Sequence, residues 1–361
     1  MRILVAPDKF AGTLSAVEAA EAVSRGWREV APDDVLDLAP MSDGGPGFVD
    51  VLHEALGGEL LAVTVRGPRG VDTPGAVLVV GDTAYVESAQ GCGLHLTEKQ
   101  GAETASTYGV GQLLAAALDT GAATVVVGLG GSGTNDGGAG LLAALGASAD
   151  VPLDGGGAGL DGVTEVDVSS ARERVGDVRL VAASDVDNPL TGLFGATKVF
   201  GPQKGITEER LPVADGWLEQ YAVALDRRAS LEKGASAAGG LGYALLVLGA
   251  TREPGVALVA EAVGLVGRAR EADLVVTGEG AFDFSSRAGK VPHGVAAVAE
   301  EALRPCVVVA GQVLVGSREM RALGVESAYS LVELVGEEQA FADPGGSLAR
   351  LAGRVARTWS R

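Results

Sequence analysis

The chain has 361 residues and a formal net charge of −19, because 47 Asp and Glu residues outnumber 28 Lys and Arg residues. This acidic balance argues against nucleic-acid binding, since proteins that bind the phosphate backbone gain affinity from basic side chains. Hydrophobic residues make up 47% of the chain. This is a globular composition, and no apolar run approaches the roughly 20 residues that span a bilayer, so we expect no membrane partner.

The first 57 residues alternate between apolar strand-like runs and helical patterns. Residues 2–6 form a short apolar run typical of a parallel-sheet strand, and residues 35–38 form a second one. Ser15 and Glu18 have the spacing of a capping box, which predicts a helix that begins there. This β-loop-α repetition predicts a parallel sheet with helices on its faces.

Residues from about 60 to 90 have a different pattern. Three short runs, 61–65, 76–80 and 83–87, are separated by Gly, Pro and Asp residues. Such runs predict a meander of strands and the beginning of a second domain. Further strands are predicted at 124–127, 180–183, 272–277 and 305–310.

The end of the chain returns to the β-loop-α pattern of its beginning. We therefore predict an α/β fold with two α/β domains. Residues 1–57 and 245–361 would build one domain, with a parallel sheet and helices on both faces. Residues 58–244 would form the other domain, inserted between those two segments and carrying a Gly-rich loop and a corner at Asp185.

Five of the predicted strands end in loops rich in Gly and small polar or charged residues. In open parallel sheets, ligands bind at the carboxyl ends of the strands, so we expect these loops to converge. Ordinary turn chemistry is the alternative explanation for any one of them. The loops are 7–15, 42–47, 128–138, 184–189 and 278–290.

The loop 128–138 joins a strand to a helix and is the richest in glycine. Its backbone N–H groups could approach a phosphate, and its hydroxyl and amide side chains could donate further hydrogen bonds. A tight turn with Asp136 as helix cap is the alternative. A nicotinamide-dinucleotide fold is disfavoured, because the acidic residue it requires about 20 positions later would fall in a loose loop. The predicted phosphate contacts are Gly130, Gly131, Ser132, Gly133, Thr134 and Asn135.

Lysine and carboxylate residues in the loops supply the charged groups that phosphoryl transfer needs. Lys204 and Lys290 are the lysines favoured as phosphate partners, with ordinary surface lysines as the alternative. Asp185 and Asp187 follow a strand two residues apart and could hold Mg²⁺ or accept a proton, although an Asx-turn would also explain them. The loop 278–290 offers a second pair, Glu279 and Asp283, while Asp8 and Asp43 stand in the first two loops.

Histidine and cysteine contribute little to the predicted chemistry. The three His residues are scattered, which gives neither a zinc site nor a Ser-His-Asp triad. The two cysteines, Cys92 and Cys306, form no CxxC pair and no disulfide framework. We therefore expect a reducing, cytoplasmic location.

These motifs, taken together and in order, resemble the type I glycerate kinases over nearly the whole chain. Many blocks in the same order make the resemblance specific, whereas one Gly-rich loop alone would be weak. The shared blocks are Val5–Phe10, Pro40–Gly45, Gly130–Ser132, Asn135–Gly138, Asp185–Leu190, Val199–Gly205, Ala238–Gly242, Thr277–Gly280, Gly289–Pro292 and Gly294–Val295.

The resemblance implies phosphorylation of D-glycerate by ATP and Mg²⁺, usually to 2-phosphoglycerate. We expect the protein to be a monomer or homodimer. It also implies that the domain built from both chain ends is flavodoxin-like. Three positions depart from the family: Ala11 replaces a Lys, Pro46–Phe48 replaces Glu-Gly-Thr, and Ala281 replaces an Arg. A kinase for another small hydroxy acid and a non-catalytic nucleotide-binding relative are therefore the alternatives.

The residues and the resemblance together give a predicted site. Catalytic roles are predicted for Asp185, Asp187 and Lys290, and nucleotide contacts for residues 130–135, Lys204 and Glu279. The predicted substrate contacts are Asp8, Lys9, Ser15, Asp43, Gly44 and Gly45. The predicted Mg²⁺ ligands are Asp187, Asp136 and Asp283.

Overall fold

The computed structural model describes residues 1–10, 12–283 and 290–360. The departure at Ala11 and residues 284–289 of the loop 278–290 lie outside the described residues. Within them, the chain forms strands and helices in alternation, and the predicted α/β class is confirmed. The strands are β1 Arg2–Val5, β2 Val35–Leu38, β3 Glu59–Arg66, β4 Asp72–Val80, β5 Thr83–Glu87, β6 Thr124–Gly128, β7 Ser148–Ala149, β8 Val166–Asp167, β9 Arg179–Ala183, β10 Thr251–Glu253, β11 Leu274–Phe282, β12 Cys306–Val313 and β13 Ser327–Ser330.

The helices are mostly short and connect these strands. They are α1 Ala16–Arg28, α2 Phe48–Leu56, α3 Ala89–Cys92, α4 Leu94–Thr97, α5 Tyr108–Asp119, α6 Ala139–Ala144, α7 Ser169–Val175, α8 Ala196–Phe200, α9 Leu211–Leu225, α10 Ala237–Val247, α11 Gly255–Ala262, α12 Leu265–Glu271, α13 Val291–Glu301, α14 Ser317–Ala322, α15 Leu331–Val335, α16 Glu337–Ala342 and α17 Pro344–Trp359. Single 3₁₀ turns lie at Gly157–Leu160, Pro202–Lys204 and Ala229–Leu231. The capping box at the start of α1 is present as predicted, with Ser15 and Glu18 satisfying each other's backbone N–H.

The chain divides into two compact units. Unit 1 comprises Met1–Asp43, Asp50–Leu56 and Gly255–Arg361, and unit 2 comprises Gly44–Val49 and Gly57–Pro254. The boundary inferred from the sequence after residue 244 falls inside α10, because the helix continues to Val247. The structure places the division after β10 instead.

Unit 1 is built on a five-stranded parallel sheet in the order β13-β12-β11-β1-β2. Counted along the unit, this is the 2-1-3-4-5 order of flavodoxin-like folds. Alternate residues of each strand face opposite sides of the sheet. On one side, Ile3 and Val276 pack with α1 and α17, whose largest buried residue is Trp27. On the other side, α13 packs against β11 and β12.

Unit 2 contains a six-stranded mixed sheet in the order β10-β9-β6-β5-β4-β3. The predicted meander is confirmed, since β3, β4 and β5 pair antiparallel at one side of the sheet. β5, β6, β9 and β10 are parallel, so their carboxyl ends lie at one edge. The core of this unit includes Leu113 on α5, Leu141 on α6 and Leu245 on α10.

Candidate functional site

The carboxyl ends of the parallel strands of unit 1 border a cavity of about 430 Å³. Small-molecule sites typically measure about 300–1,000 Å³. In sheets of this order, ligands bind beside the switch in strand order, which lies here between β1 and β11. The charged residues that line the cavity are Asp8, Lys9, Asp43, Glu279 and Lys290. Five residues that the sequence selected from three loops therefore lie in one cavity.

Lys9 lies between two carboxylates of this cavity. Its Nζ is 3.4 Å from Oδ1 of Asp8 and 3.4 Å from Oδ1 of Asp43. Burial by itself would lower the pKa of Lys9, but Asp43 and Asp8 outweigh that effect and raise the pKa above its usual value. Lys9 is therefore a permanent cation, able to bind an anionic group of a substrate.

The carboxyl group of Asp8 is almost completely buried, with 6% of the residue exposed. Its backbone N–H donates a 2.8 Å hydrogen bond to the carbonyl of Gly278, which ties the residue to the end of β11. Burial raises the pKa of Asp8 to about 7, against the lowering effect of Lys9. A carboxyl group that titrates near neutral pH is suited to accept a proton from a substrate hydroxyl.

Lys290 brings a second cation to the cavity. Its Nζ lies 3.8 Å from Oε2 of Glu279 and 3.9 Å from Oδ1 of Asp283. Lys290 is also the N-cap residue of α13, an eleven-residue helix. An ammonium group at a helix N-terminus favours anions, because the helix dipole adds to its positive charge.

The Gly-rich loop 128–138 lies in unit 2, where its glycines allow close packing against the Gly44–Pro46 segment. A Cβ at Gly128 would lie 2.6 Å from the carbonyl oxygen of Gly44, and one at Gly130 would lie 2.7 Å from Cα of Gly45. A Cβ at Gly131 would lie 2.7 Å from the Pro46 ring. The absence of side chains here therefore serves contact between two backbone segments, and it does not require a bound phosphate.

The polar side chains of the same loop are buried within unit 2. Lys204, 2% exposed, donates from Nζ to the hydroxyl of Ser132 at 2.9 Å and to the carbonyl of Thr134 at 2.6 Å. Asn135, 1% exposed, donates to the hydroxyl of Thr197 at 2.9 Å. Burial lowers the pKa of Lys204 to about 8. These contacts favour an internal role for the side chains of Ser132, Asn135 and Lys204 over the predicted contact with phosphate.

Asp136, predicted as a Mg²⁺ ligand, instead organises the start of α6. Its completely buried carboxylate accepts hydrogen bonds from the backbone N–H and hydroxyl of Thr107, each at 2.8 Å. It also accepts from the backbone N–H of Gly138 and Gly140 at 3.1 and 3.3 Å. Four donors therefore occupy the oxygens of this carboxylate. This is the behaviour expected from the alternative interpretation of Asp136, a residue that caps a helix.

The predicted carboxylate pair of Asp185 and Asp187 lies just beyond the end of β9 in unit 2. Asp187 is exposed and forms ion pairs with Lys233 at 2.9 Å and Arg252 at 2.6 Å. The hydrogen bond from Lys233 is the largest contribution that lowers the pKa of Asp187. Asp185 is half-buried. Asp187 is thus paired with two cations. To bind Mg²⁺, its carboxylate would have to break these two ion pairs.

Three predicted substrate contacts have structural roles. Ser15 uses its hydroxyl in the capping box, donating to Oε2 of Glu18 at 2.9 Å. Gly44 has φ +93°, and a Cβ there would lie 2.7 Å from the carbonyl oxygen of Ala183. Gly45 contacts Gly130 closely, as described above. The close approach of neighbouring backbone segments therefore explains why glycine stands at positions 44 and 45.

Sequence reasoning did not single out Glu87, the buried residue that ends β5 in unit 2. Its Oε2 accepts hydrogen bonds from the backbone N–H of Gly47 at 3.0 Å and of Val49 at 3.3 Å. The residue is 5% exposed. The signal available in the sequence was a carboxylate at the end of an apolar strand. Through these two hydrogen bonds, Glu87 holds in place the segment on which the Gly-rich loop packs.

Two kinds of feature are not found among the described residues. No three His, Cys, Asp or Glu side chains are grouped as a metal site in residues 1–10, 12–283 and 290–360. The same part of the chain contains no helix whose length and apolarity would let it cross a membrane.

Comparison with known proteins identifies the family. The model of the glycerate kinase family matches residues 3–360. A glycerate kinase of Bacillus subtilis is 40% identical over 99% of this chain and 97% of its own length, and a glycerate 2-kinase of Escherichia coli is 36% identical over 99% and 98%. A crystal structure of a candidate glycerate kinase 2 from Salmonella typhimurium LT2 superposes with a TM-score of 0.79, covering 99% of this chain and 98% of that one at 36% identity. The resemblance seen in the motifs is confirmed, and the chain belongs to the glycerate kinase family.

Proposed function

We propose that this protein transfers the γ-phosphoryl group of ATP to the C2 hydroxyl of D-glycerate, giving 2-phosphoglycerate and ADP. The observation that carries the proposal is the pairing of Asp8 with Lys9 in the cavity of unit 1. A group that can accept a hydroxyl proton thereby stands beside a cation that can bind a carboxylate. The name of the Escherichia coli relative, a glycerate 2-kinase, supports the C2 position.

Glycerate offers one carboxylate and two hydroxyl groups to such a cavity. The carboxylate would pair with Lys9, whose charge the two neighbouring aspartates maintain. The reacting hydroxyl would then lie against Asp8, and this buried carboxyl would accept its proton during attack on the phosphorus. Binding by Lys9 holds the hydroxyl in reach, which is a large part of catalysis in phosphoryl transfer.

The phosphates and Mg²⁺ require further charges in the same cavity. Lys290, at the start of α13, would bind the phosphates of ATP. Mg²⁺ usually takes one or two carboxylates and completes its shell with phosphates and water. Asp43 and Glu279 line the cavity and supply two such carboxylates, and we propose these residues as its ligands. Bound Mg²⁺ would neutralise charge on the transferred phosphoryl group.

The direct test is an assay of ADP release from MgATP with purified protein. D-glycerate should give turnover above the background ATPase rate, while L-glycerate should not, and NMR of the product should locate phosphorus on C2. An ADP rate with D-glycerate equal to the background would contradict the proposed substrate. Phosphorus on C3 would contradict only the proposed position.

A kinase for another small hydroxy acid is the second candidate, favoured by one observation. Ala281 lines the cavity at the position where the resemblance expects an Arg. The departure at Phe48 does not change the cavity lining, because that side chain is buried against Tyr85 in the core of unit 2. Of these two departures, the change at 281 is therefore the one that alters the binding surface of the cavity. Assays with glycolate and lactate as acceptors distinguish this candidate, which requires one of them to exceed D-glycerate in kcat/KM.

The location and assembly of the protein are also proposals. We propose a cytoplasmic monomer or homodimer, and the two buried free thiols support a reducing compartment. Light scattering coupled to gel filtration would determine the assembly, and a mass above twice 36.1 kDa would contradict both states.

A further inference from the structure

The cavity of unit 1 changes in character along the row of strand ends. The sheet order places the end of β13 at one side and the end of β2 at the other. The charged residues lie in the loops after β1 and β2, on β11 and at the start of α13. The residues beyond β13, which belong to α15, α16 and the start of α17, are apolar: Leu331, Val332, Ala340, Phe341 and Pro344.

The row of strand ends is long enough for an extended ligand. Neighbouring strands lie roughly 4.8 Å apart, so the four spacings from β13 to β2 span roughly 19 Å. Glycerate is far shorter than this row and uses only the charged end. A ligand that fills the row would carry an apolar ring at one end and anionic groups towards the other, which is the chemistry of a nucleoside triphosphate.

We propose that the adenine ring of ATP binds at the apolar end of this cavity, against Phe341, and that Gln312 recognises its edge. The proposal rests on the proposed function and extends it to the nucleotide. It places the phosphates towards Lys290, between the base and the acceptor hydroxyl, because β11 lies between β12 and β1 in the sheet.

Phe341 has the properties of a stacking surface for a base. It is 63% exposed although it lines the cavity, so part of its ring is free for contact. An isolated exposed aromatic residue needs no explanation, but this one adjoins Leu331 and Val332 in the same concave surface. Aromatic side chains bind bases by stacking, whichever base is present.

Gln312 supplies the polar group that stacking alone lacks. It lies at the carboxyl end of β12, opposite Ala281 in the register with β11, and it lines the cavity. A glutamine amide offers a donor and an acceptor together. That pair matches the amino group and ring nitrogen of adenine, which glutamine and asparagine recognise in the same way elsewhere.

The first test compares a nucleotide with a probe that lacks the base. In Phe341→Ala, the Kd for MgAMP-PNP measured by titration calorimetry should rise about 10-fold, a typical cost of losing one stacked base. The Ki of inorganic tripolyphosphate, as a competitor of ATP, should not change. Phe194→Ala is the matched control, since Phe194 is 64% exposed but lies in unit 2, and it should change neither constant. If Phe341→Ala weakened the binding of MgAMP-PNP and of tripolyphosphate equally, or left the Kd for MgAMP-PNP unchanged, the proposed base site would be overturned.

The second test concerns the choice of base. Gln312→Leu should lower the ratio of kcat/KM for ATP to that for GTP by about 10-fold, because the paired hydrogen bonds to adenine are lost. The KM for D-glycerate should not change. An unchanged ratio would overturn the role of Gln312. If wild-type protein shows no turnover, the proposed function fails, whereas the calorimetric comparison still decides where the base binds.

Discussion

Lys204 donates a hydrogen bond of 2.6 Å to the backbone carbonyl of Thr134, a residue 70 positions earlier in the chain. Burial lowers the pKa of this lysine to about 8, while the unfolded chain keeps the ordinary value near 10.4. Between these two values the unfolded state binds more protons than the folded state. Raising the pH through this window therefore stabilises the folded protein relative to the unfolded one.

Lys204→Met should remove this pH dependence. We expect the free energy of unfolding of the wild type to rise relative to the variant by on the order of 3 kcal/mol between pH 7.5 and about 10. Urea unfolding at both pH values measures the difference. Lys99→Met is the control, since Lys99 is exposed and should leave the wild-type rise intact. Parallel pH curves for wild type and Lys204→Met would show that Lys204 is not buried as a titrating cation.

Asp8→Asn tests the proposed proton acceptor. The amide cannot accept the proton of the hydroxyl, so kcat should fall by about 10²- to 10⁴-fold. In the wild type, kcat/KM should rise with pH through an apparent pKa near 7, since the acceptor must be ionised. Steady-state rates from pH 5 to 9 measure both effects.

A stability measurement separates this role from a folding defect. Because the pKa of Asp8 is raised in the folded state, the wild type loses stability as pH rises from about 4 to 7, and Asp8→Asn should not. Asp50→Asn, at an exposed position of α2, is the control for both measurements. A variant at Asp8 with wild-type kcat would remove this residue from the mechanism.

The strand-end loops of unit 1 could be predicted from the sequence because each depends on local pattern. Asp8 and Asp43 follow short apolar runs, and Glu279 follows another, so the rule for parallel sheets was enough to bring them together. The same rule also selected Gly130 in unit 2. It could not tell a glycine that admits a ligand from one that admits the backbone of Gly45, since both require only the absence of a side chain.

The buried contacts of unit 2 lay beyond sequence reasoning because their partners are distant in the chain. Asp136 is satisfied by Thr107, which lies 29 positions earlier, and the sequence gives no sign of that pairing. Glu87 holds the N–H of Gly47 across 40 positions. In such cases a polar residue near a glycine looks the same whether it binds a ligand or another segment of the protein.

Asp136→Asn distinguishes a structural carboxylate from a metal ligand. The amide group would face the N–H and hydroxyl donors of Thr107 with fewer acceptor sites, so the free energy of unfolding should fall by about 1–3 kcal/mol. The KM for Mg²⁺ should not change. Chemical denaturation and Mg²⁺ titration of the rate measure these quantities, with the exposed Asp161→Asn as control. A raised KM for Mg²⁺ without a loss of stability would restore Asp136 as a ligand.

Asp185 and Asp187 were predicted as a functional pair, and their variants should differ. Asp187 forms exposed ion pairs, and such pairs contribute only about 0–1 kcal/mol, so Asp187→Asn should leave kcat and stability close to wild type. Asp185→Asn should lower kcat by orders of magnitude, as its predicted catalytic role requires. The two variants are mutual controls in the ADP assay. A large loss of kcat in Asp187→Asn would show that the ion pairs break during catalysis.

Gly128→Ala should destabilise unit 2, because the added Cβ would lie 2.6 Å from the carbonyl oxygen of Gly44 and 2.7 Å from the ring of Phe48. Overpacking of this kind typically costs about 1–3 kcal/mol of unfolding free energy. Gly216→Ala is the matched change, since its Cβ would meet nothing within 4 Å in α9 and alanine favours a helix by up to about 1 kcal/mol. Thermal unfolding should therefore shift down in the first variant and up in the second. A shift in the same direction for both would contradict the close approach of the two segments at Gly128.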